Sequence, residues 1–222
     1  MSLLANYYVE LESQLQRLLP GSRLKRTSLG KQGLTLCLID PEGMDVALNE
    51  AETNAVFDNP PYWSFCWGSG LALAERLLSG AQQLDGKTVV DFGCGSGVVA
   101  IAAALAGAGH VTACDLDPFA LKASALNGAV NGVELAFLDD IKCLDKPVDI
   151  LFAADVLYDP ENMPLIQLFR KIAKEVVIAD SRVKDFSAEG FSLIGQTRAV
   201  TEPDLGELES VKLIRFYGSA GC

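Results

Sequence analysis

The fold of this 222-residue chain is decided by residues 88–97, which read TVVDFGCGSG. The apolar run Thr88–Phe92 predicts a strand, and three glycines at alternate positions follow it. Glycine lets the backbone turn sharply from strand into helix and lets a ligand approach the main chain closely. The alanine-rich stretch Val98–Ala106 then predicts a helix. A ligand-binding turn is therefore predicted here, with a plain strand-to-helix turn as the alternative.

Strands and helices alternate on the C-terminal side of this turn. We predict strands at His110–Cys114, Val133–Leu138, Asp149–Ala153 and Glu175–Ala179, and helices at Pro118–Asn127 and Asn162–Ala173. This alternation is typical of an α/β fold with a parallel sheet and helices on both faces. Two late strands, Phe191–Thr197 and Ser210–Tyr217, are predicted to pair as a C-terminal antiparallel hairpin at the sheet edge.

The segment before the first predicted core strand is more irregular. We predict an amphipathic helix over residues 3–19, strands at Leu34–Ile39 and Asp45–Leu48, a loop at Phe57–Gly70 and a helix at Leu71–Leu78. The chain has neither internal repeats nor a long linker. We therefore predict one domain, residues 1–222, in which 1–55 form a small N-terminal elaboration and 56–222 the core.

Composition and charge narrow the possible partners. The chain carries 18 basic and 29 acidic groups, a net charge of −11, which disfavours nucleic acid as a partner. It has neither a signal-peptide pattern nor an apolar run long enough for a membrane span, so we expect a cytoplasmic protein without a membrane partner. Six cysteines without a Cys-x-x-Cys pair and a single histidine predict reduced thiols and no metal site.

The spacing of the glycines favours one class of cofactor. Dinucleotide sites read G-x-G-x-x-G, whereas Gly93, Gly95 and Gly97 give G-x-G-x-G, with Val98 in the sixth position. The carboxylate of Asp91 would repel a pyrophosphate but suits a zwitterionic amino-acid tail, whose ammonium group it could hold directly or through water. These residues therefore predict a nucleoside cofactor that carries an amino-acid tail.

Further acids follow the next two predicted strands. Asp115 ends a strand about 20 residues after the glycines, where a carboxylate accepts hydrogen bonds from ribose hydroxyls. Asp117 is expected instead to cap the helix that begins with Pro118. After the following strand, Asp139 or Asp140 could meet the exocyclic amine of adenine, and a solvated acidic turn is the alternative interpretation of this pair.

A second substrate, in this interpretation, lies beyond the strand Asp149–Ala153. Ligands of open α/β sheets bind outside the carboxyl ends of the strands, so Asp155 and Tyr158 are candidates to position an amine by hydrogen bonding. A helix cap with a packing tyrosine is the alternative. The sequence Asn59–Tyr62, NPPY, resembles a tetrapeptide that grips amides and amines in N-methyltransferases. Here it precedes the glycines, so we do not assign it that role.

These motifs together resemble the class I, seven-β-strand S-adenosylmethionine-dependent methyltransferases, which have a Rossmann-like fold. Residues 61–74, PYWSFCWGSGLALA, are similar to one branch, the protein-lysine methyltransferases related to the electron-transfer flavoprotein β-subunit enzyme. Residues 155–159 match the D-x-x-Y element of that branch, and 178–182 resemble its fifth-strand ending. Ribosomal-protein lysine methyltransferases and nicotinamide N-methyltransferases share much of this pattern.

The resemblance implies S-adenosylmethionine as cofactor, with Trp67 and Gly68 against it and with Asp155 and Tyr158 at the acceptor. It also implies that the acceptor is a lysine of a partner protein. The branch usually has proline after the tryptophan, where this chain has Gly68, and the first 50 residues match nothing in it. Three alternatives stay open: a small-molecule amine methyltransferase with a nicotinamide-like acceptor, a non-catalytic cofactor-binding module, and an NAD-binding oxidoreductase, against which the glycine spacing argues.

Overall fold

The structure is a computed structural model that describes residues 3–30, 33–44, 47–157, 162–183 and 186–220. Its strands are β1 Leu24–Leu29, β2 Leu34–Ile39, β3 Thr88–Phe92, β4 His110–Cys114, β5 Ala136–Leu138, β6 Val148–Ala154, β7 Ala173–Asp180, β8 Ser192–Arg198 and β9 Leu213–Ala220. Its α-helices are α1 Leu3–Leu18, α2 Glu50–Asp58, α3 Gly68–Leu78, α4 Val98–Leu105, α5 Pro118–Val130 and α6 Leu165–Ile172.

A seven-stranded sheet with the order β5-β4-β3-β6-β7-β9-β8 forms the centre of the molecule. Strands β3 to β7 are parallel, whereas β9 runs antiparallel to β7 and pairs with β8 at the edge. This arrangement confirms the predicted α/β fold and its C-terminal antiparallel hairpin. The carboxyl ends of the parallel strands, where a ligand site was expected, all lie at one edge of this sheet.

The middle strands are apolar because both of their faces are buried. On one face, α3 and α4 pack over side chains such as Val89 and Phe152. On the other, α6 buries Phe169 against Val90 and Leu151. Within the part of the chain that the structure describes, no helix combines the length and the apolarity that a membrane crossing requires.

The N-terminal segment differs in part from the sequence prediction. Helix α1 and strand β2 are found as expected, but β2 pairs with β1 in an antiparallel hairpin. The predicted strand Asp45–Leu48 is wrong over 47–48, which form no strand, and 45–46 lie outside the described residues. Strand β1, LKRTSL, was missed because its centre is polar. Helix α2 was missed because it has no apolar stripe; the Asn49 capping box starts it instead.

Two asparagines, Asn127 in α5 and Asn131 at its C-terminal cap, hold the N-terminal hairpin against the core. The fully buried Asn127 accepts a hydrogen bond from the Cys37 N–H at 2.7 Å and donates one to the Ser96 carbonyl oxygen at 2.9 Å. One turn on, Asn131 makes a reciprocal pair of bonds with the Thr35 backbone, at 3.0 and 2.7 Å. Through Asn127, the hairpin is joined directly to the glycine-rich turn.

These contacts predict unequal effects of two matched substitutions. Asn127→Ala would leave a buried N–H and a buried carbonyl unpaired, so we expect the free energy of unfolding to fall by about 2–4 kcal/mol. Asn131→Ala should cost about 1 kcal/mol, since water can reach the partly exposed Thr35 groups. Urea unfolding of both variants measures the difference. Equal losses would show that the link to Ser96 adds nothing.

Candidate active site

A cavity of 340 Å³ opens at the carboxyl ends of the parallel strands. It falls within the usual size range of small-molecule sites. Seven of the candidate residues from the sequence line it: Trp67, Gly93, Gly95, Asp115, Asp139, Asp140 and Asp155. Three others, Gly68, Asp91 and Gly97, do not lie in its wall. Tyr158 lies outside the described residues.

Two glycines of the turn after β3 have different tasks. A Cβ atom on Gly95 would meet nothing within 4 Å, and Gly95 lines the cavity, so its main chain is open to a ligand. A Cβ atom on Gly97 would lie 2.8 Å from the Ser124 hydroxyl oxygen, so this position allows close packing on α5. Both residues have positive φ angles, +51° and +82°, which glycine adopts without strain.

Asp91 lies behind the turn. Its side chain is fully buried and accepts a hydrogen bond of 3.0 Å from the Ala100 N–H in the first turn of α4. Burial raises the pKa of this carboxyl group to about 7. The sequence placed Asp91 against the ammonium group of a ligand. In the structure one of its oxygens satisfies the N-terminus of α4 and the residue does not line the cavity, so contact with an ammonium group stays a prediction.

Asp115 is placed as the sequence predicted, at the end of β4 in the cavity wall. Its two carboxylate oxygens accept hydrogen bonds from the N–H groups of Gly95 and Asp117, each at 3.0 Å. Each oxygen keeps a further lone pair for a hydroxyl donor. Burial raises the pKa of Asp115. Asp117 caps α5 through the Phe119 N–H at 2.8 Å, with Pro118 in the first helical position, which confirms that prediction.

The acids after β5 both line the cavity. Asp140 accepts a hydrogen bond from the Lys142 N–H at 2.9 Å and so caps the short 3-10 turn that follows. Asp139 is the more exposed of the two. Both residues thus line the cavity, and contact of either one with adenine stays a prediction.

The carboxylate of Asp155 is engaged by the protein itself. It accepts hydrogen bonds from the hydroxyl and N–H groups of Ser69, at 2.6 and 3.2 Å, and from those of Ser181, at 2.9 and 3.3 Å. Burial and the charge of nearby Asp180 raise its pKa. The backbone of Asp155 is strained, with a φ of +50°. Asp155 therefore joins the start of α3 to the end of β7, and the capping alternative describes its contacts better than an acceptor ligand does.

Aromatic side chains form the wall beside Asp155. The Trp67 indole N–H donates to the Tyr62 carbonyl oxygen at 3.0 Å, and the two rings lie 5.6 Å apart at 71°. The guanidinium of Arg182 lies 5.9 Å from the centre of the Trp67 ring. Tyr62, Arg182 and Asn162 also line the cavity but were not assigned to the site from the sequence. Tyr62 ends the NPPY tetrapeptide that was set aside above, and it directly precedes residues 63–70, the tryptophan loop.

Gly68 faces away from the cavity. Its N–H donates to the Thr201 hydroxyl at 3.3 Å, and a Cβ atom would lie 3.5 Å from the Ala199 carbonyl oxygen. Thr201 in turn donates to Glu207, and Cys66 pairs with the backbone of Glu202 at 2.8 Å. The connection between β8 and β9 therefore holds the tryptophan loop from behind.

Comparison with known proteins gives consistent matches. The family model of the ribosomal protein L11 methyltransferase (PrmA) matches residues 71–181, half of the chain. The electron transfer flavoprotein beta subunit lysine methyltransferase of Rattus norvegicus is 32% identical over 155 residues, which cover 66% of this chain and 60% of the rat protein. The ribosomal protein L11 methyltransferase of Hahella chejuensis is 46% identical over 97 residues, 42% of this chain and 31% of that protein.

The chain thus spans 60% or less of the length of these curated relatives. Solved structures agree on the fold. The ribosomal protein L11 methylase from Lactobacillus delbrueckii subsp. bulgaricus aligns with a TM-score of 0.53 and 24% identity over 68% of this chain and 77% of its own. A putative methyltransferase from Streptococcus mutans gives 0.58 and 14% over 90% and 56%.

The raised pKa of Asp91 predicts a pH dependence of stability. The folded state binds this proton more tightly than the unfolded chain, whose aspartates titrate near pH 3.9. The contribution of Asp91 to stability should therefore be highest below about pH 4 and fall, by up to about 1.4 kcal/mol per pH unit, as the pH rises to about 7. The Asp91→Asn variant, which keeps an oxygen for the Ala100 N–H, should lack this pH-dependent contribution.

Urea unfolding at several pH values between about 5 and 8 measures the difference between wild type and the Asp91→Asn variant. Asp145→Asn, at an exposed position, controls for the loss of one negative charge. A difference in unfolding free energy between wild type and the Asp91→Asn variant that stays constant with pH would contradict the prediction.

Proposed function

The chain belongs to the ribosomal protein L11 methyltransferase family, and on this premise we propose that it transfers a methyl group from S-adenosylmethionine to a lysine side chain of a partner protein. One observation carries the proposal. One cavity is lined both by Gly95 and Asp115, which could hold a nucleoside, and by the aromatic residues Tyr62 and Trp67. A cofactor and an acceptor side chain can therefore meet within it.

The residues that could hold the nucleoside fit this cofactor. Gly95 leaves its main chain open, and Asp115 is held with both oxygens available to the two ribose hydroxyls. Asp139 or Asp140 would accept from the adenine amine. When bound, S-adenosylmethionine supplies an electrophilic methyl group, whose transfer to a neutral amine forms an N–C bond and breaks the C–S bond, with the electron pair left on sulfur. The protein's main contribution is orientation, which can supply about 7–11 kcal/mol.

Two features support lysine as the acceptor. The rat relative is named as a lysine methyltransferase. The net charge of −11 favours the approach of a cationic side chain. We propose that Asp155 acts by positioning, since its carboxylate fixes the start of α3 and thereby the tryptophan loop. We also propose that Tyr158 contacts the acceptor, as the D-x-x-Y resemblance implies.

The setting of the enzyme is also a proposal. Four buried thiols, Cys37, Cys66, Cys94 and Cys114, suit a reducing compartment, so we propose the cytoplasm. We also propose that residues 1–222 form one domain, because the hairpin of 1–55 is bonded to α5 of the core. A small-molecule amine and an RNA are the acceptors against which lysine must be tested.

The first prediction from the proposed function concerns cofactor binding. S-adenosylhomocysteine at 100 times its dissociation constant should stabilise the protein by about 2.7 kcal/mol, whereas NAD should leave the melting temperature unchanged. Asp115→Ala should weaken binding by about 1.5–3 kcal/mol, through loss of hydrogen bonds to a charged group. The matched variant Asp117→Ala should keep its affinity and lose about 1 kcal/mol of stability with the helix cap. Calorimetric titration measures the affinity of both variants for S-adenosylhomocysteine. Stabilisation by NAD alone would overturn the cofactor assignment.

The second prediction concerns the acceptor and Asp155. Wild type, incubated with methyl-labelled cofactor and cell extract, should place label on lysine, mapped by peptide mass spectrometry. Asp155→Asn replaces a carboxylate oxygen with an amide NH2 group at a point where four hydrogen-bond donors converge. The tryptophan loop in the cavity wall should therefore shift, and turnover should fall about 100-fold. Its affinity for S-adenosylhomocysteine should change little, and Ser181→Ala should have a smaller effect. Label confined to metabolites or RNA would refute the lysine acceptor, and an unimpaired Asp155→Asn enzyme would refute the positioning role.

A further inference from the structure

We propose that Tyr62 and Trp67 form a cation-binding corner at the mouth of the cavity, which captures the ammonium group of the acceptor lysine before that group loses its proton. The inference rests on the proposed lysine acceptor and assigns the residues that select it. It gives a role to a tyrosine that the sequence motifs did not assign to the site.

The Tyr62 and Trp67 rings form the two walls of the corner. The ring centres lie 5.6 Å apart, and the planes meet at 71°. The hydrogen bond of 3.0 Å from the Trp67 indole to the Tyr62 carbonyl fixes the two residues relative to each other. Phe65 supports Trp67 from a ring distance of 5.5 Å. Both residues line the cavity, so both rings are available to a side chain bound beside them.

The corner is at the entrance. Tyr62 is 46% exposed, whereas neighbouring Trp63, which also lines the cavity, is buried and packs against Phe119 of α5. Pro60 and Pro61 precede Tyr62, and their fixed φ angles restrict the backbone conformation of the segment that leads into the corner. An exposed aromatic ring over a cavity mouth contacts whatever side chain enters from a partner protein.

One wall of the corner, the Trp67 ring, already faces a cation of the protein itself. The Arg182 guanidinium lies 5.9 Å from the Trp67 ring centre, within the distance at which a cation is attracted to an aromatic face. A carboxylate oxygen of Glu207 lies 3.8 Å from the same guanidinium and balances its charge. A second cation can therefore approach the rings without facing an uncompensated positive charge.

The corner should act in capture and not in the chemical step. Aromatic faces favour the charged amine, whereas methyl transfer needs the neutral one, so strong cation binding at the reacting position would slow the reaction. Placed at the mouth, the same interaction concentrates lysine and is released as the side chain moves inward. Loss of the Tyr62 ring should consequently raise the KM for the acceptor about 2- to 30-fold and leave kcat within about twofold.

Two small probes test the corner without knowledge of the partner. Nα-acetyl-lysine methylamide and its uncharged counterpart Nα-acetyl-norleucine methylamide are titrated into protein loaded with S-adenosylhomocysteine. Binding is followed by the NMR signal of the Trp67 indole N–H. We expect a saturable shift with the lysine probe and at least several-fold weaker binding of the norleucine probe. Tyr62→Leu should weaken binding of the lysine probe about 2- to 30-fold, whereas Tyr62→Phe, which keeps the ring, should not.

Binding of S-adenosylhomocysteine to each variant is the control for folding and should be retained, because Asp115 and Gly95, which are proposed to hold the nucleoside, are unchanged. Equal binding of the two probes, or no saturable shift with wild type, would overturn the corner. A Tyr62→Leu variant with unchanged lysine affinity would overturn it as well. These outcomes differ from failure of the proposed function, in which labelling of extract yields no methyl-lysine while the two probes still separate as expected.

Discussion

The turn between β3 and α4 is the constraint on which the site depends, because it is fixed from several sides at once. Asp115 holds the Gly95 N–H from the neighbouring strand, and Asp91 holds the start of α4 from behind. Asn127 binds the Ser96 carbonyl from α5 and couples the turn to the N-terminal hairpin. A backbone fixed in this way meets a ligand without first being ordered, so less binding energy is lost.

The acceptor end is organised by a different carboxylate. Asp155 draws together the start of α3 and the end of β7, and the tryptophan loop is held between this joint and the β8–β9 connection. Burial raises the pKa of Asp91, Asp115 and Asp155 alike, and all three surround the same turn and cavity. Such a concentration of perturbed acids is typical of functional sites, where desolvated groups are retained because they fix geometry.

The sequence by itself determined what depends on neighbours along the chain. The apolar run of β3 and the glycines after it identified the core unit, and alternation of strands and helices predicted the parallel sheet. Asp117 was predicted as a cap because its partner, the Phe119 N–H, is two residues away. Asp115 was placed correctly at the cavity because a strand end in an open α/β sheet has one position relative to the ligand.

Tertiary structure alone decided which predicted side chains face the cavity. Asp91 stands in β3 and does not line the cavity, whereas Asp155 follows β6 and does line it. The oxygens of both accept hydrogen bonds from the protein itself, and one donor to Asp155, Ser69, lies 86 residues away along the chain. Tyr62 reaches the cavity only because the α2–α3 connection folds back over it. A buried carboxylate accepts hydrogen bonds from the donors that surround it, and packing between segments of the chain decides which donors those are. The sequence thus determines which residue stands at a strand end, whereas the fold determines what that residue contacts.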